Sequence, residues 1–305
     1  MNSIIISELN KLISTLLYEK PPNFSFKVNS FKKTINLIND LDFKITSSEQ
    51  LKTIKGIGKG TLERVNEILN NGNLQENKNV EKKQKDISEF NKFQTITGIG
   101  PAKAKQLIEK KILFDDLIKN PTDKILKELT HHQLIGVKYY DDLLKRINRN
   151  TIYDIEQYLE KFDFKFQICG SYRRKQETSG DIDILILEEK NSLKDIVKIL
   201  KDDKFIIDNL TDDGKTKYMG ICKTTTTQAM RIDIRLIPTQ SYAFALLYFT
   251  GSKKTNTYMR NIAIKSGYKL SEYGLYDKNN NSISLDSEKS IFKFLNIPYV
   301  IPEKR

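Results

Sequence analysis

Two cysteines and two histidines in 305 residues leave little material for zinc or disulfide chemistry. Cys169 and Cys222 form no spacing pattern, and they read as small buried residues in a reducing compartment. His131 and His132 are adjacent, so their side chains diverge, and no further Cys or His completes a ligand set; a capping or packing role is expected. No apolar run reaches membrane-spanning length, and residues 1–17 are too polar for a signal peptide. A soluble, intracellular chain that binds no membrane is therefore expected. Neither a Gly-x-Gly-x-x-Gly turn nor a Walker lysine stands in the strand-to-helix context that would mark a dinucleotide or P-loop fold.

Charge of one sign is abundant. The chain carries 51 Lys and Arg against 39 Asp and Glu, a net charge of +12. A basic chain of this kind points to a polyanionic partner, nucleic acid first. The richness in Lys, Asn and Ile is also what AT-rich coding produces, so charge alone does not decide. The length allows two or three domains with their own cores.

The most informative stretch runs from Ile168 to Leu187. Gly180-Asp181-Ile182-Asp183-Ile184 alternates carboxylate and isoleucine and then turns apolar, the pattern of a strand entering a core. Side chains on a strand repeat every second residue, so Asp181 and Asp183 share a face. Two carboxylates on one face repel unless a cation sits between them, and a hard cation with oxygen ligands is the usual answer. Upstream, Gly170-Ser171 is a turn small enough for phosphate to approach the backbone, with Arg173 and Arg174 beside it. A third carboxylate is expected from Arg231-Ile232-Asp233-Ile234-Arg235, where Asp233 lies opposite the isoleucines. Three carboxylates from two strands can hold two magnesium ions, one lowering the pKa of an attacking hydroxyl and the other stabilising leaving oxygens. An isolated Asp-x-Asp is more often a solvated strand edge; the Gly-Ser turn and the second Asp strand outweigh that reading. Together they suggest phosphoryl or nucleotidyl transfer.

The N-terminal half has helical periodicity. Residues 3–18 and 31–41 read as amphipathic helices, and Ser47 or Ser48 caps a short third. Ile54-Lys55-Gly56-Ile57-Gly58 recurs as Ile96-Thr97-Gly98-Ile99-Gly100, each followed by a helix, 61–69 and 102–110. Such glycine turns point amides outward at a helix start, with Lys59, Lys103 and Lys105 nearby to pair with phosphate. They resemble helix-hairpin-helix motifs, which grip the DNA backbone without reading sequence. Residues 70–88, polar throughout, read as a flexible connector and a domain boundary. Further helices are expected over 141–147, 151–161 and 192–200. Strands are expected over 164–168, 205–207 and 217–222, the last two joined through an Asp-Asp-Gly turn at 212–214. An apolar helix over 241–252 ends in Tyr248-Phe249 and a Thr-Gly-Ser turn. Tyr248 and Phe249 could wall a sugar pocket, Asn256 could reach a base edge and Arg260 a template strand.

On these residues the chain resembles the family X DNA polymerases over essentially its whole length. The specific segments are Thr97-Gly98-Ile99-Gly100-Pro101, His131-His132-Gln133, Gly170-Ser171-Tyr172-Arg173-Arg174, Ser179-Gly180-Asp181-Ile182-Asp183, Arg231 to Arg235, and Tyr248-Phe249-Thr250-Gly251-Ser252. The resemblance implies an α+β fold. Helical helix-hairpin-helix domains come first (1–80 lyase-like, 88–150 DNA-binding), then a nucleotidyltransferase palm with a mixed sheet (151–240) and a small C-terminal α/β subdomain (241–305). It implies that Asp181 and Asp183 bind two Mg2+ ions, with Mn2+ as an alternative, and that Asp233 binds the catalytic one and helps take the primer hydroxyl proton. Arg146, Ser171, Arg174 and Gly180 would hold the triphosphate, and Tyr248, Phe249 and Gly251 the deoxyribose. Asn256 would touch the nascent base pair, and Arg260 would support the template. Arg235 and Glu272 would exchange partners as the last subdomain closes. Carbonyls of Lys52, Ile54, Ile57, Gln94, Ile96 and Ile99 would hold Na+ or K+. The expected partners are gapped or nicked double-stranded DNA and dNTP, the expected state a monomer, and a nuclear or viral DNA-replication setting is compatible but not encoded.

The expected reaction is template-directed gap filling in base-excision-type repair. Template-independent nucleotidyl transfer and a non-catalytic DNA-end binder are the alternatives; the presence of all three aspartates argues against the last. One departure stands out. Where the family often forms a lysine Schiff base with a 5′-deoxyribose phosphate, the aligned position is Arg64, which stays protonated and cannot form an imine at neutral pH. Gly60 and Phe31 replace a second lysine and a tyrosine, while Lys27, Lys52 and Glu63 match supporting positions. Weak or absent lyase activity is therefore expected. No candidate exonuclease region is present, so proofreading is not expected.

Overall fold

A computed structural model describes residues 2–78, 84–189, 191–211, 214–225 and 227–305, and by compactness the chain divides into units 1–128 and 129–305. The first unit is helical: α1 (Ser3–Glu19), α2 (Phe24–Asn39), a 3-10 turn (Ser48–Leu51), α3 (Lys59–Asn71), α4 (Gln75–Lys78), α5 (Gln84–Phe93), α6 (Pro101–Glu109), α7 (Phe114–Lys119) and α8 (Asp123–Leu126). Its core is built from the apolar stripe of α1 (Ile5, Leu9, Leu12, Leu16) against Val28, Phe31, Ile35 and Ile38 of α2 and Val65 and Ile68 of α3. The second helix starts well before the expected residue 31. Phe24 and Val28 continue the i, i+3, i+4 series of Phe31, Ile35 and Ile38 across intervening polar residues, so burial carries the helix back to Phe24. Ser47 caps the 3-10 turn in a capping box with Gln50.

The two glycine turns repeat in backbone as in sequence. Ile57 N–H donates to the Ile54 carbonyl at 3.1 Å and Ile99 N–H to the Ile96 carbonyl at 3.0 Å. Gly56 and Gly98 sit at φ 108° and 86°, where a side chain is strained. Gly58 and Gly100 then open α3 and α6, the latter with Pro101 at the first helical position. Within the expected connector at 70–88, the described residues include helix that the polarity of the segment does not suggest. Residues 75–78 and 84–88 are helical, and Leu74 and Ile87 are buried anchors; residues 79–83 lie outside the described residues.

The second unit begins with α9 (His131–Lys138), α10 (Tyr140–Leu143), β1 (Ile147–Asn148), α11 (Arg149–Leu159), β2 (Phe166–Ile168), the single turn α12 (Gly170–Arg173) and β3 (Thr178–Ser179). It continues through β4 (Ile182–Leu187), α13 (Leu193–Asp202), β5 (Ile206–Asn209), β6 (Lys217–Cys222) and β7 (Met230–Ile237). It ends with α14 (Tyr242–Thr250), α15 (Lys253–Lys265), β8 (Lys269–Leu270), β9 (Leu275–Tyr276), β10 (Ser282–Ile283) and α16 (Glu288–Phe294). The expected helix over 141–147 stops at Leu143. Ile147 is buried in the central core and pairs with Ser179, and that demand overrides local helical spacing. Of the expected turn at 212–214, residues 212 and 213 lie outside the described residues. Both cysteines are buried and unpaired.

The central sheet has strand order β2-β4-β7-β6-β5, with β4 parallel to β7 and every other neighbour antiparallel. On one face Ile182, Ile184, Ile186, Ile232, Ile234 and Leu236 pack on Ile152 and Ile155 of α11 and on Ile196, Val197 and Leu200 of α13. Fully burying an isoleucine is worth roughly 1.5–3 kcal/mol, so this face locks the register of both strands. On the other face Leu185 and Ile237 meet Cys169 and Ala245, leaving Asp183, Arg231, Asp233 and Arg235 on that side. The C-terminal part packs Phe244 and Leu247 of α14 on Met259, Ala263, Leu275, Ile291 and Phe292, beside the three-stranded sheet β10-β9-β8. No described helix is long and apolar enough to cross a membrane.

One carboxylate is buried in this C-terminal part. Glu288 opens α16 and accepts two bonds from Arg173 (3.1 and 2.7 Å) and one from Arg305 (2.5 Å). Burial alone would raise its pKa; the two guanidiniums outweigh that and hold it below the ordinary value of 4.5. Its contribution to stability is thus fully present above about pH 4.5 and lost as pH falls through the lower folded-state value. In thermal melts at descending pH, Glu288→Gln should be less stable than wild type near neutrality, with the gap closing in acid. A constant gap across the range would contradict this assignment.

Candidate active site

The parallel pairing sets Asp183 directly beside Asp233 in register, on the face of the sheet away from the isoleucines. Asp181, just ahead of β4, completes the group: ligand oxygens of Asp181, Asp183 and Asp233 all lie within 4.8 Å of one another. Burial, and then the Asp233 charge, push the Asp183 carboxyl up to about 6. Burial also raises Asp233, against the lowering effects of Arg231, Lys217, Arg235 and His132. Asp233 Oδ1 is buried with no hydrogen-bond partner. An ionised carboxylate oxygen left in that state is costly, and a cation between the three side chains would satisfy it and offset the mutual repulsion. An all-oxygen donor set suits a hard divalent ion. The residues therefore fit a metal, with Asp181, Asp183 and Asp233 as its ligands.

The turn at Gly170-Ser171 closes over this group. Cys169 N–H donates to the Asp183 carbonyl at 2.8 Å, and Gly170 sits at φ 56°. A Cβ on Gly170 would lie 2.2 Å from Asp183 Oδ2, so only glycine lets the turn approach the carboxylate. Ser171 Oγ donates to Ser179 Oγ at 2.8 Å. Arg174 donates from Nη1 to the Thr250 carbonyl at 2.6 Å, which pins its guanidinium beside Gly251. Arg146 is anchored on Thr178 through Nε (2.7 Å) and Nη2 (2.8 Å), and its Nη1 flanks Gly180. Arg146, Ser171, Arg174 and Gly180 thus gather around the turn next to the carboxylates. Arg173, expected to bring charge to phosphate here, points away: its guanidinium is taken up by Glu288 and Thr250.

On the α14 side, Tyr248 and Phe249 meet edge-on at 5.1 Å between centroids. Arg235 lies 5.3 Å over Phe249 and Arg260 4.8 Å over Tyr248, while Asn256 Nδ2 donates to the Tyr248 carbonyl at 2.7 Å. Gly251 is at φ 70°. Glu272 stands 3.5 Å from Arg260, so in this conformation its partner is Arg260 rather than Arg235, whose Nε has no hydrogen-bond partner.

Arg231 was missed as a site residue. Its guanidinium contacts Asp181 Oδ2, giving that ligand a cationic partner inside the chain. The signal was present, since residues 231, 233 and 235 share one face of a strand. Glu288 and Arg305 left no comparable signal. His132, half-buried, feels both Arg231 and Asp233 and is held below its ordinary pKa, first by burial. Thr130 caps α9 in a capping box with Gln133, and His131 Nε2 lies 2.9 Å from the Asn209 carbonyl, so the histidine pair sits at a capped, packed helix start.

In the first unit Lys59, 92% exposed at its side chain, makes a long ion pair with Glu63 at 4.0 Å, whereas Lys52 pairs with Glu49 at 2.6 Å. Lys103 is more engaged than expected, donating to the Glu128 carbonyl and to Gln106 Oε1. Arg64 donates to the Gly60 carbonyl (2.8 Å) and to Glu76 (2.7 Å) and lies over Phe31. Lys27 is exposed. The carbonyls of Ile54 and Ile96 each accept one backbone bond and keep a second lone pair.

Four family models match along the chain. They are a helix-hairpin-helix domain (residues 2–74), the fingers domain of DNA polymerase lambda (91–144), the DNA polymerase beta palm (144–239) and the DNA polymerase beta thumb (245–305). The chain is 32% identical to DNA polymerase lambda of Arabidopsis thaliana, covering 90% of this chain and 57% of that one. It is 29% identical to DNA polymerase lambda of Rattus norvegicus, covering 90% and 52%. It is 26% identical to DNA nucleotidylexotransferase of Xenopus laevis, covering 90% and 63%. The chain spans about half the length of the polymerase relatives it matches.

Gly170→Ala should fold but weaken binding of Mn2+ or Tb3+ by about 10–100-fold, because the added methyl displaces Asp183. Gly180→Ala, where the nearest atom to a new Cβ is Arg146 Nη1 at 3.9 Å, should leave that affinity nearly unchanged. Lanthanide luminescence titration reads both, and equal affinities in the two variants would contradict the steric account.

Proposed function

The chain belongs to the family X DNA polymerases, and on that premise we propose that it fills short gaps in DNA, joining a dNMP from dNTP to a primer 3′-OH and releasing pyrophosphate. The observation that carries the reading is the convergence of Asp181, Asp183 and Asp233, with one buried unpartnered oxygen, beside a glycine turn backed by Arg174 and Arg146. What divalent ions would supply there, two Mg2+ or Mn2+, is Lewis-acid charge at the attacking and leaving oxygens. Asp181 and Asp183 would hold both ions and Asp233 one of them, and Asp233 also helps receive the primer hydroxyl proton. Arg146, Ser171 and Arg174 neutralise and orient the triphosphate, with Gly180 leaving the backbone approachable. Tyr248, Phe249 and Gly251 form the wall against the sugar, and Asn256 reaches the nascent base pair. Arg235 and Arg260 face DNA.

The first unit grips the DNA backbone at its two glycine turns, through amides at Gly56 and Gly58 and at Gly98 and Gly100, with Lys59 and Lys103 adjacent. The carbonyls of Lys52, Ile54 and Ile57, and those of Gln94, Ile96 and Ile99, would hold Na+ or K+, which would supply positive charge toward the DNA phosphates. The substrate is gapped or nicked duplex, and the protein acts as a monomer. Lyase chemistry is weak or lacking. Arg64 is committed to Gly60 and Glu76 as a tie between α3 and α4, which leaves Lys27 and Glu63 as parts of a site without its nucleophile.

Nucleotide incorporation on a one-nucleotide gap, with and without a 5′-phosphate and in Mg2+ or Mn2+, tests the reading. Asp233→Ala should reduce extension by about a thousandfold or more while leaving gap binding intact. Undiminished extension by that variant would remove the assignment, and equal extension of a single-stranded primer would favour a template-independent transferase.

Borohydride trapping on an incised abasic site should yield little covalent adduct. An efficient adduct, lost on changing Lys27 or Lys59 to Ala, would overturn the lyase assignment.

A further inference from the structure

The side chains assigned to the triphosphate come from separate stretches of chain, Arg146 from one and Ser171 and Arg174 from the other. Something must set the distance between them. Arg146 leads into β1, which pairs with β3, and its guanidinium is anchored on Thr178 of β3. The turn that carries Ser171 and Arg174 has to be fastened to the same frame. Arg149, the first residue of α11, lies between the two. It is a cation at a helix N-terminus, where the macrodipole disfavours positive charge. Among the described residues no carboxylate pairs with it. Electrostatics within α11 therefore gives no reason for an arginine here.

Its contacts across the fold supply one. The Arg149 N–H donates to the Glu177 carbonyl at 2.9 Å, just ahead of β3. Its Nη1 donates to the Tyr172 carbonyl at 2.7 Å, and its guanidinium lies 4.2 Å over the Tyr172 ring. Tyr172 is buried in α12, between Ser171 and Arg173. Glu156, further along α11 on the same face as Arg149, accepts from the Tyr172 hydroxyl at 2.6 Å. Helix α11 thus holds the tyrosine by its ring, its carbonyl and its hydroxyl. The turn needs this support where it closes. The Tyr172 carbonyl also accepts from the Lys175 N–H at 2.9 Å, with Lys175 at φ 57°, a left-handed position that strains a lysine. A second donor on that carbonyl, from Arg149, fixes the peptide that leads into Arg173 and Arg174.

We propose that Arg149 is a positioning residue of the nucleotide site: by clamping Tyr172 to the start of α11 it sets the spacing between Arg146 and the turn that carries Ser171 and Arg174. It acts through Tyr172 and touches no phosphate itself. This rests on the nucleotide-binding reading above.

The test compares wild type with Arg149→Gln, Arg149→Lys, Tyr172→Phe, Arg146→Ala and the double variant of Arg146→Ala with Arg149→Gln. It uses single-gap incorporation, equilibrium binding of a non-hydrolysable dNTP to the gap complex, and thermal melts. Arg149→Gln should raise the nucleotide KM and Kd roughly tenfold, with kcat and gap affinity changed less than about twofold. Arg149→Lys restores the charge and a donor but not the planar stack, so its KM should rise roughly threefold. Tyr172→Phe keeps the ring and the carbonyl, so it should lower the melting temperature while moving KM less than about twofold. On top of Arg146→Ala, Arg149→Gln should add less than about threefold, because the spacing it sets has lost one of its ends. Nucleotide KM unchanged in folded Arg149→Gln, an equal rise in Tyr172→Phe, or a full additive loss in the double variant would overturn the proposal. If Arg149→Gln does not fold, Arg149→Lys decides, and an unmoved KM in that variant would overturn the proposal. Wild type that binds no nucleotide would overturn the function itself and this inference with it, whereas active wild type with unmoved variants would overturn only the inference.

Discussion

The constraint on which the candidate site depends is the parallel register of β4 and β7. It places Asp183 against Asp233, two like charges in a partly dry position, and nothing in their immediate packing rewards that placement. What enforces it is the opposite face of the same two strands, where isoleucines and Leu236 are buried against α11 and α13. A one-residue slip of either strand would send its apolar set to the wrong side. The hydrophobic face thus holds the repulsive face together, and the repulsion is what a cation would relieve.

Around that pair the chain spends close packing rather than loop mobility. Gly170 leaves no space for a methyl group above Asp183, and Arg146 and Arg174 are each anchored through part of their guanidinium, the rest remaining for a ligand. Side chains fixed in this way lose little freedom on binding. The first unit is organised differently, around two repeated glycine turns that open α3 and α6. That suits a partner recognised by its phosphates.

Much of this was legible in the sequence, because two periodicities carry it. Alternation in 181–187 and 230–237 assigned Asp181, Asp183 and Asp233 to one face, and the repeated Gly-Ile-Gly turns marked the helical unit. Face is a local property; pairing is not. That Ile147 would leave a helix to pair with Ser179 depends on a residue far along the chain and on a core no short window displays. The early start of α2 at Phe24 was hidden by polar residues between its apolar positions. Arg231 was readable as a neighbour of Asp233 on one face but was passed over for Arg235. Glu288 had only the signature of an ordinary acidic helix start, and its role appears only when Arg173 and Arg305 are placed in space.

The central claim is that Asp183 and Asp233 of two parallel strands, with Asp181 just ahead of the first, form one site for divalent cations at the nucleotide's reacting phosphate. The most direct measurement is anomalous diffraction from crystals of the protein with gapped DNA, a non-hydrolysable dNTP and Mn2+. The account predicts anomalous density bounded by Asp181, Asp183 and Asp233 and touching the nucleotide phosphates. Density elsewhere, or an Asp233 side chain turned away from a bound ion, would contradict it.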